Sequence, residues 1–124
     1  MKTGPMNCVV AFVQPFQVER VVDSLRQLPD FPGVSVSEVR GFGREAAHPP
    51  RKGERSEVNP FQSRARLEIY APGPAVAAIT ETIRQSARTG HTGDGILFVT
   101  EVAWALRIRT GRQGSDALRN DSQE

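Results

Sequence analysis

The sequence is poor in cysteine and histidine, and this scarcity excludes several classes of protein. Its 124 residues include one cysteine, Cys8, so no disulfide can form within a single chain. The two histidines, His48 and His91, lie far apart in the sequence, and no Cys/His cluster has the spacing of a metal site. A disulfide-stapled scaffold and a zinc-stabilised module are therefore excluded, and no residue is predicted to ligate a metal.

Long apolar runs and an excess of one charge are also lacking. No stretch approaches the roughly 20 apolar residues that cross a bilayer, and residues 1–7 have no apolar signal-peptide core. The formal charge is +2, too small to favour a nucleic-acid partner. We expect a single cytoplasmic domain over residues 1–124, without direct membrane insertion.

Short apolar segments of two kinds are present. Runs rich in β-branched residues, or alternating apolar and polar residues, predict strands. These strands cover residues 8–13, 34–37, 64–70, 96–99 and 104–109. Apolar residues at helical spacing predict helices over residues 18–28 and 76–87. Within the last strand, Arg107 and Arg109 would project from one face.

The order of these elements predicts the fold class. A β-α-β-β-α-β order with a strand extension is the ferredoxin-like split βαβ arrangement, an α+β fold. Two helices cover one face of an antiparallel sheet, and nothing in the chain covers the other face. Because a chain of this length with 38% hydrophobic residues has a small core, we expect it to form an oligomer.

Two polar segments are predicted to lack regular structure. Residues 44–63 are rich in proline and charge, and a loop of about twenty residues in a compact domain is typically either functional or disordered. We expect this loop to be mobile in the absence of a ligand or partner. Residues 112–124 form a polar tail that is expected to fray.

A glycine-rich stretch, Arg88–Gly95, links the second helix to the strand over 96–99. Glycine permits positive φ and close approach of the backbone to a ligand, and successive N–H groups in such a loop favour anions. A plain helix stop is the alternative interpretation. The stretch is neither a Walker A loop, since Gly-Lys-Ser/Thr is missing, nor a Rossmann loop, since a helix precedes it.

Cationic segments at the ends of two predicted strands also favour an anion-binding site. They are Gly41-Phe42-Gly43-Arg44 and Arg107-Ile108-Arg109-Thr110-Gly111. Arginine binds phosphate oxygens in a bidentate fork, so Arg44, Arg64, Arg107 and Arg109 are candidate phosphate ligands.

These segments, together with Phe12-Val13-Gln14-Pro15-Phe16, resemble the signature segments of PII signal-transduction proteins. The resemblance runs from about Asn7 to Gly111. It implies a ferredoxin-like homotrimer that binds ATP or ADP in clefts between subunits. It also implies a non-enzymatic protein that regulates a transporter or enzyme through a long mobile T-loop, here Arg44 to Ser63.

The resemblance also assigns residues to the nucleotide cleft. Arg107 and Arg109 would reach phosphates from a neighbouring subunit, and Tyr70 would offer its backbone to adenine. The implied site residues are Val34, Ser35, Gly41, Phe42, Gly43, Arg44, Glu45, Arg64, Tyr70, Thr89, Gly90, Gly93, Asp94, Gly95, Arg107 and Arg109.

Departures from the family pattern affect the choice of ligand. Ile96 stands where the family has a phosphate-binding lysine, Glu45 where it has a glutamine, and Gln14 where it has a lysine before Pro-Phe. We expect ADP or AMP to compete well with ATP, because attraction scales with ligand charge. A small anion, bicarbonate or 2-oxoglutarate, would be the second effector, with bicarbonate the first candidate. Whether Mg²⁺ takes part stays open, since a carboxylate at Glu45 could bind it.

Two other functions stay open at this point. One is a small phosphate-ester or acyl-phosphate hydrolase on the same fold, although no nucleophile–base pair is evident near the arginines. The other is a metal-binding trimer of similar fold, which lacks clustered ligands.

Overall fold

The computed structural model describes residues 1, 3–42 and 61–119. It contains four strands and two α-helices in the order β-α-β-β-α-β, which confirms the predicted α+β, ferredoxin-like fold. The elements are β1 (Met6–Val13), α1 (Val18–Leu25), β2 (Ser35–Gly41), β3 (Gln62–Pro72), α2 (Val76–Ala87) and β4 (Gly95–Glu101).

The strands form one antiparallel sheet in the order β2-β3-β1-β4, so β2 and β4 are its edges. In the register of the sheet, Ala11 of β1 lies opposite Leu67 of β3 and Leu97 of β4. Because side chains alternate along a strand, these residues share the face that the helices cover.

Proline sets the start of both helices. Pro15 opens a short 3₁₀ turn, Pro15–Gln17, that leads into α1, and the 3₁₀ turn Gly73–Ala75 with Pro74 leads into α2. Proline suits this position because its fixed φ is already helical and its missing N–H would have no partner there. Apolar residues at helical spacing then place Val21, Leu25, Ile79 and Ile83 against the sheet.

The core lies between the two helices and one face of the sheet. Its fully buried side chains include Val9, Leu67 and Ile69 from the central strands. Leu28 also packs against this core, although α1 ends at Leu25 and not at the predicted Leu28. No helix in the described part of the chain is long and apolar enough to cross a membrane.

The opposite face of the sheet, which we call the open face, is partly apolar and exposed. Ile96 and Phe98 of β4 are 58% and 51% exposed there, beside half-buried Phe12 and Val10 of β1. An apolar patch of this kind on a small domain indicates an interface. The predicted lack of a cover on this face is therefore confirmed for the described residues.

The predicted strand over residues 104–109 is wrong. Leu106 makes an isolated bridge to Gln113, and the chain between them reverses. The Arg107 N–H donates to the Arg112 carbonyl at 2.8 Å, and the Gly111 N–H donates to the Arg107 carbonyl at 2.8 Å. Gly111, with φ of +77°, takes the left-handed conformation that this reversal uses. Arg107 is half-buried and Arg109 exposed, so the two arginines are not a pair on one strand face.

The two polar segments have different outcomes. In the tail, Gly114–Leu118 forms a 3₁₀ helix with Ala117 buried, where no regular structure was predicted, and residues 120–124 lie outside the described residues. Most of the predicted loop over 44–63 also lies outside them. Its last two residues, Gln62 and Ser63, belong to β3, which extends the predicted strand.

Candidate functional site

The glycine loop, residues 88–95, leaves α2 and turns sharply into β4. Gly90, Gly93 and Gly95 have φ of +90°, +93° and +115°, a conformation that side chains rarely allow. At Gly95 a Cβ would also overlap the carbonyl oxygen of Phe12 on β1. Glycine there is required by the close approach of two strands as well as by the turn.

Asp94 organises the interior of this loop. Its carboxylate accepts hydrogen bonds from the backbone N–H of Thr89 at 2.8 Å, from the N–H of Gly90 at 2.9 Å and from the Thr89 hydroxyl. The His91 N–H donates to the Thr89 hydroxyl oxygen at 3.2 Å. The first N–H groups of the loop therefore point at a carboxylate of the same loop, and Asp94 acts as a positioning residue.

These donors hold the pKa of Asp94 below its ordinary value, with the Thr89 hydroxyl as the largest cause and the two backbone N–H groups next. A carboxylate that accepts several hydrogen bonds is stabilised in its charged form. Asp94 therefore binds its proton less tightly in the ordered loop than in the unfolded chain.

We expect the glycine loop to lose order in acid. Since the folded-state pKa is depressed, the contribution of Asp94 is present above its ordinary pKa of 3.8 and is lost as the pH falls through the lower folded value. Amide-exchange protection of Thr89 and Gly90, followed against pH, measures this. The Asp94→Asn variant should show weak protection at all pH values, and the Asp116→Asn variant is the control. Equal protection in Asp94→Asn and the parent would contradict the assignment.

Gln14 and Arg64 lie beside Gly93 in the second half of the loop. The Gln14 side-chain amide donates to the Gly93 carbonyl at 2.7 Å. Arg64, from β3, donates to the Gln62 side chain and to the Ser63 carbonyl, both at 2.8 Å. Its guanidinium lies 3.5 Å from where a Cβ on Gly93 would sit, so this cation faces the loop.

The ends of β2 and β3 carry an aromatic pair beside this site. The Phe42 and Phe61 rings have centroids 5.3 Å apart and are tilted by 53°. The Arg40 guanidinium lies 5.9 Å from the Phe61 centroid, which is a cation–π distance. Phe42 directly follows β2 and Phe61 directly precedes β3, so the pair lies at this end of the sheet.

The structure brings one group of predicted site residues to a single end of the sheet. These are Gly41, Phe42, Arg64 and, in the glycine loop, Thr89, Gly90, Gly93, Asp94 and Gly95. Gln14 belongs with them, and sequence reasoning noted it only as a departure from a family pattern. Its place directly after β1 and before Pro15 was the available signal.

A second group lies toward the other end. Ser35 begins β2, with Val34 before it, and pairs with Glu68, while Tyr70 pairs with Cys8. The Tyr70 hydroxyl donates to Glu68 at 2.8 Å, and this bond, followed by burial, is the largest of the causes that raise the pKa of Tyr70 to about 12. Burial raises the pKa of the neighbouring Cys8 thiol.

Arg107 and Arg109 lie in the turn that follows β4, beyond Glu101. The Arg107 guanidinium donates to the Arg119 carbonyl at 3.3 Å. Gly43, Arg44, Glu45 and His48 fall outside the described residues. Within the described ranges, no three His, Cys, Asp or Glu side chains cluster in a way that could hold a metal ion.

A cavity of about 430 Å³ adjoins the glycine loop on the helix side of β4. Apolar residues of β1, α2 and β4 line it, among them Val13, Ile83 and Leu97, together with the charged residues Glu81, Arg84, Arg88 and Asp94. Ile96, which projects onto the open face opposite Phe12, also lines this cavity.

The fold and the glycine loop together place this chain among PII-type ferredoxin-like domains. A solved structure, the Arabidopsis thaliana PII bound to citrate, is similar to it with a TM-score of 0.75 and 30% identity, over 96% of this chain and 94% of that chain. Residues 6–112 match the family described as "Nitrogen regulatory protein P-II".

Sequence relatives agree with this. The nitrogen regulatory protein P-II of Azospirillum brasilense is 34% identical over 113 residues, which is 91% of this chain and all of the relative. The protein of the same description from Haemophilus influenzae is 35% identical over the same shares. The chain belongs to the P-II family of nitrogen regulatory proteins, so it is a signalling regulator, and the predicted resemblance is confirmed.

Proposed function

We propose that three copies of this chain assemble and bind adenine nucleotides, ADP, AMP or ATP, in the clefts between them. The nucleotide state then controls a transporter or enzyme through the loop over residues 44–63, without catalysis by this chain. Membership of a regulatory family supports the general role. The positions of the phosphate-capable groups within one chain support the nucleotide site.

The observation that carries the proposal is the separation of two half-sites. The glycine loop precedes β4, and Arg107 and Arg109 follow it. Seven strand residues lie between, from Gly95 to Glu101, which at a rise of about 3.3 Å per residue amounts to roughly 20 Å. The whole of β4 therefore lies between the loop and the arginines of one chain, and a second copy can supply arginines to that loop.

The open face supports assembly. Ile96 and Phe98 would leave water if copies met through this face, and burial of such side chains is the main favourable term in association. In a closed symmetric assembly, each copy supplies its arginines to the cleft of one neighbour and receives arginines from another copy.

We expect sedimentation to show a trimer and Phe98→Asp to dissociate it, because the variant would place a charge in a dry interface. Phe16→Asp is the matched control, since Phe16 is 73% exposed in the turn before α1 and not on the open face. A monomeric parent, or a trimeric Phe98→Asp variant, would contradict the proposed assembly.

Ile96 sets the expected preference among nucleotides. Its side chain projects from the start of β4 onto the open face, next to the glycine loop, and carries no charge. A missing cation weakens the more highly charged nucleotide most, so ADP or AMP should compete well with ATP. Ile96→Lys should improve ATP affinity more than ADP affinity, by roughly tenfold for a charge-assisted contact. Equal changes for both nucleotides in calorimetric titration would contradict this role.

A small anion is the proposed second ligand, with bicarbonate ahead of 2-oxoglutarate. Arg64 beside Gly93 offers a guanidinium for a carboxylate-like group. The related Arabidopsis protein was solved bound to citrate, an organic anion, and this supports an anion as ligand.

Calorimetric titration with AMP, ADP and ATP, each with and without bicarbonate or 2-oxoglutarate and with and without Mg²⁺, tests the proposal. We expect micromolar nucleotide binding and no turnover. Absence of binding by any nucleotide would overturn the proposed function. Sustained release of phosphate from ATP or an acyl phosphate would favour the hydrolase instead.

A further inference from the structure

Residues 3–5, which we call the strap, precede the family match at residues 6–112 and are nevertheless tied into the fold. They lead into β1, a central strand that lies between β3 and β4 in the sheet. Met6 pairs with Pro72 at this end of β1, whereas the glycine loop meets β1 at the other end. The contacts of the strap are therefore separate from those of the glycine loop.

Asn7 holds the strap from a fully buried position. Its side-chain amide nitrogen donates to the Gly4 carbonyl at 3.0 Å, and its amide oxygen accepts from the Gly4 N–H at 3.1 Å. Buried polar side chains in proteins are nearly always hydrogen-bonded, because a buried amide without partners is costly. The strap thus satisfies a polar side chain that is buried at the start of a central strand.

Gly73 receives the strap at the start of the 3₁₀ turn that leads into α2. Its N–H donates to the Pro5 carbonyl at 3.1 Å. A Cβ at position 73 would overlap the Gly4 carbonyl oxygen, so no larger residue fits beside the strap. Because Gly73 does not have a positive φ, the close approach of the strap requires glycine here, and the turn itself does not.

The strap also contacts the end of β4. The Glu101 carboxyl carbon lies 3.2 Å from the position that a Cβ on Gly4 would take, so the two residues are in contact. At the next position, the Val102 N–H donates to the Met6 carbonyl at 3.0 Å. The strap and the first residue of β1 therefore lie against the point where the chain leaves the sheet.

We infer that the strap is a clamp that fixes the direction in which the chain leaves β4, with Asn7 and Gly73 as its positioning residues. Gly73 belongs to a rigid part of the fold, since α2 begins with the fully buried Val76. The clamp connects this part to the segment that carries Arg107 and Arg109. The inference rests on the proposed function only where it concerns nucleotide, because these arginines would then have to be presented to a neighbouring copy.

A double-mutant cycle tests the strap without any ligand. Gly73→Ala is compared in the full chain and in a chain that lacks residues 2–5. In the full chain the new Cβ displaces the strap, and urea unfolding should show an unfolding equilibrium constant raised about ten- to hundredfold, as for other overpacked sites. In the shortened chain the obstacle is gone, so the same substitution should be neutral or slightly stabilising. Equal losses in both chains would overturn the inference.

Amide exchange measures the clamp at the end of β4 and does not need the shortened chain. Asn7→Leu keeps a similar side-chain volume but removes both hydrogen bonds to the strap. Asn7→Leu and Gly73→Ala should each accelerate exchange at Val102 about tenfold relative to Ile83, a buried residue of α2. Gln27→Leu, which replaces an exposed amide side chain, is the control and should leave this ratio unchanged. An unchanged ratio in both strap variants would contradict the clamp.

Nucleotide titration tests whether the clamp positions the arginines. Asn7→Leu should lower ADP affinity about threefold to tenfold, and Arg107→Ala should cost less in this variant than in the parent, because the arginine is already displaced. Arg64→Ala, on the glycine-loop side, should cost the same in both backgrounds. Additive effects of Asn7→Leu and Arg107→Ala would overturn the positioning role. A protein that binds no nucleotide would overturn the proposed function, and the unfolding and exchange results would still decide whether the strap is a clamp.

Discussion

Replacement of Gly95 by alanine is expected to destabilise the protein by about 4 kcal/mol or more, at the severe end for a single substitution. A Cβ at this position would overlap the Phe12 carbonyl oxygen, and the backbone has φ of +115°. Relief requires β1 and β4 to separate where their pairing begins, at Val13 and Gly95. Because a domain of this kind has a stability of about 5–15 kcal/mol, such a loss leaves a marginal fold.

Gly90→Ala is the matched control for this prediction. Gly90 has a similar positive φ of +90°, but no atom lies within 4 Å of the position a Cβ would take. It should lose only the backbone strain, about 1–2 kcal/mol. Urea unfolding at one fixed protein concentration compares the variants, since assembly makes stability depend on concentration. Equal losses would show that steric overlap at Gly95 is not the dominant effect.

The helix-forming parts of the fold could be predicted because their signals are local. The apolar spacing of α2 and the proline before it gave both of its ends, Val76 and Ala87. The end of α1 was placed too late because Leu28 still packs on the core after the backbone has left the helix. Burial of a side chain and helical conformation are different properties, and apolar spacing reports the first.

The last strand could not be predicted because a strand depends on its neighbour. Trp104, Leu106 and Ile108 alternate as strand residues do, yet within the described chain only Leu106 finds a bridge partner. Strand propensity describes how well a residue suits a paired, half-buried surface. With no partner strand beside it, the segment closes into a turn at Gly111.

The candidate site was predictable as a set of segments and not as a set of contacts. The glycines were recognised from their spacing, but the carboxylate of Asp94 reaches back to Thr89 and Gly90, and Gln14 reaches Gly93 across 79 positions. Such contacts follow from how β1, β4 and the loop meet, and a linear pattern does not encode them.

Loss of the arginines should weaken nucleotide binding strongly. One charge-assisted hydrogen bond contributes roughly 1.5–3 kcal/mol, so Arg107→Ala or Arg109→Ala should reduce adenine-nucleotide affinity about tenfold to hundredfold. Arg26→Ala, which removes an exposed arginine remote from the glycine loop, is the control. Unchanged affinity in both variants would mean that the nucleotide lies elsewhere.

Mixed trimers show whether these arginines act across subunits. A subunit with Arg109→Ala keeps the loop side of the cleft, whereas a subunit with Arg64→Ala loses the candidate phosphate ligand beside Gly93 and keeps Arg107 and Arg109. If each cleft takes its loop from one copy and these two arginines from the next, co-assembly of equal amounts restores about a quarter of the clefts to the parent residues by chance. If both residues serve the same cleft from one chain, no cleft is restored. Calorimetric titration of the mixture should therefore show a minority of tight sites that neither variant alone possesses, and their absence in a mixture shown to exchange subunits would contradict a cleft shared between copies.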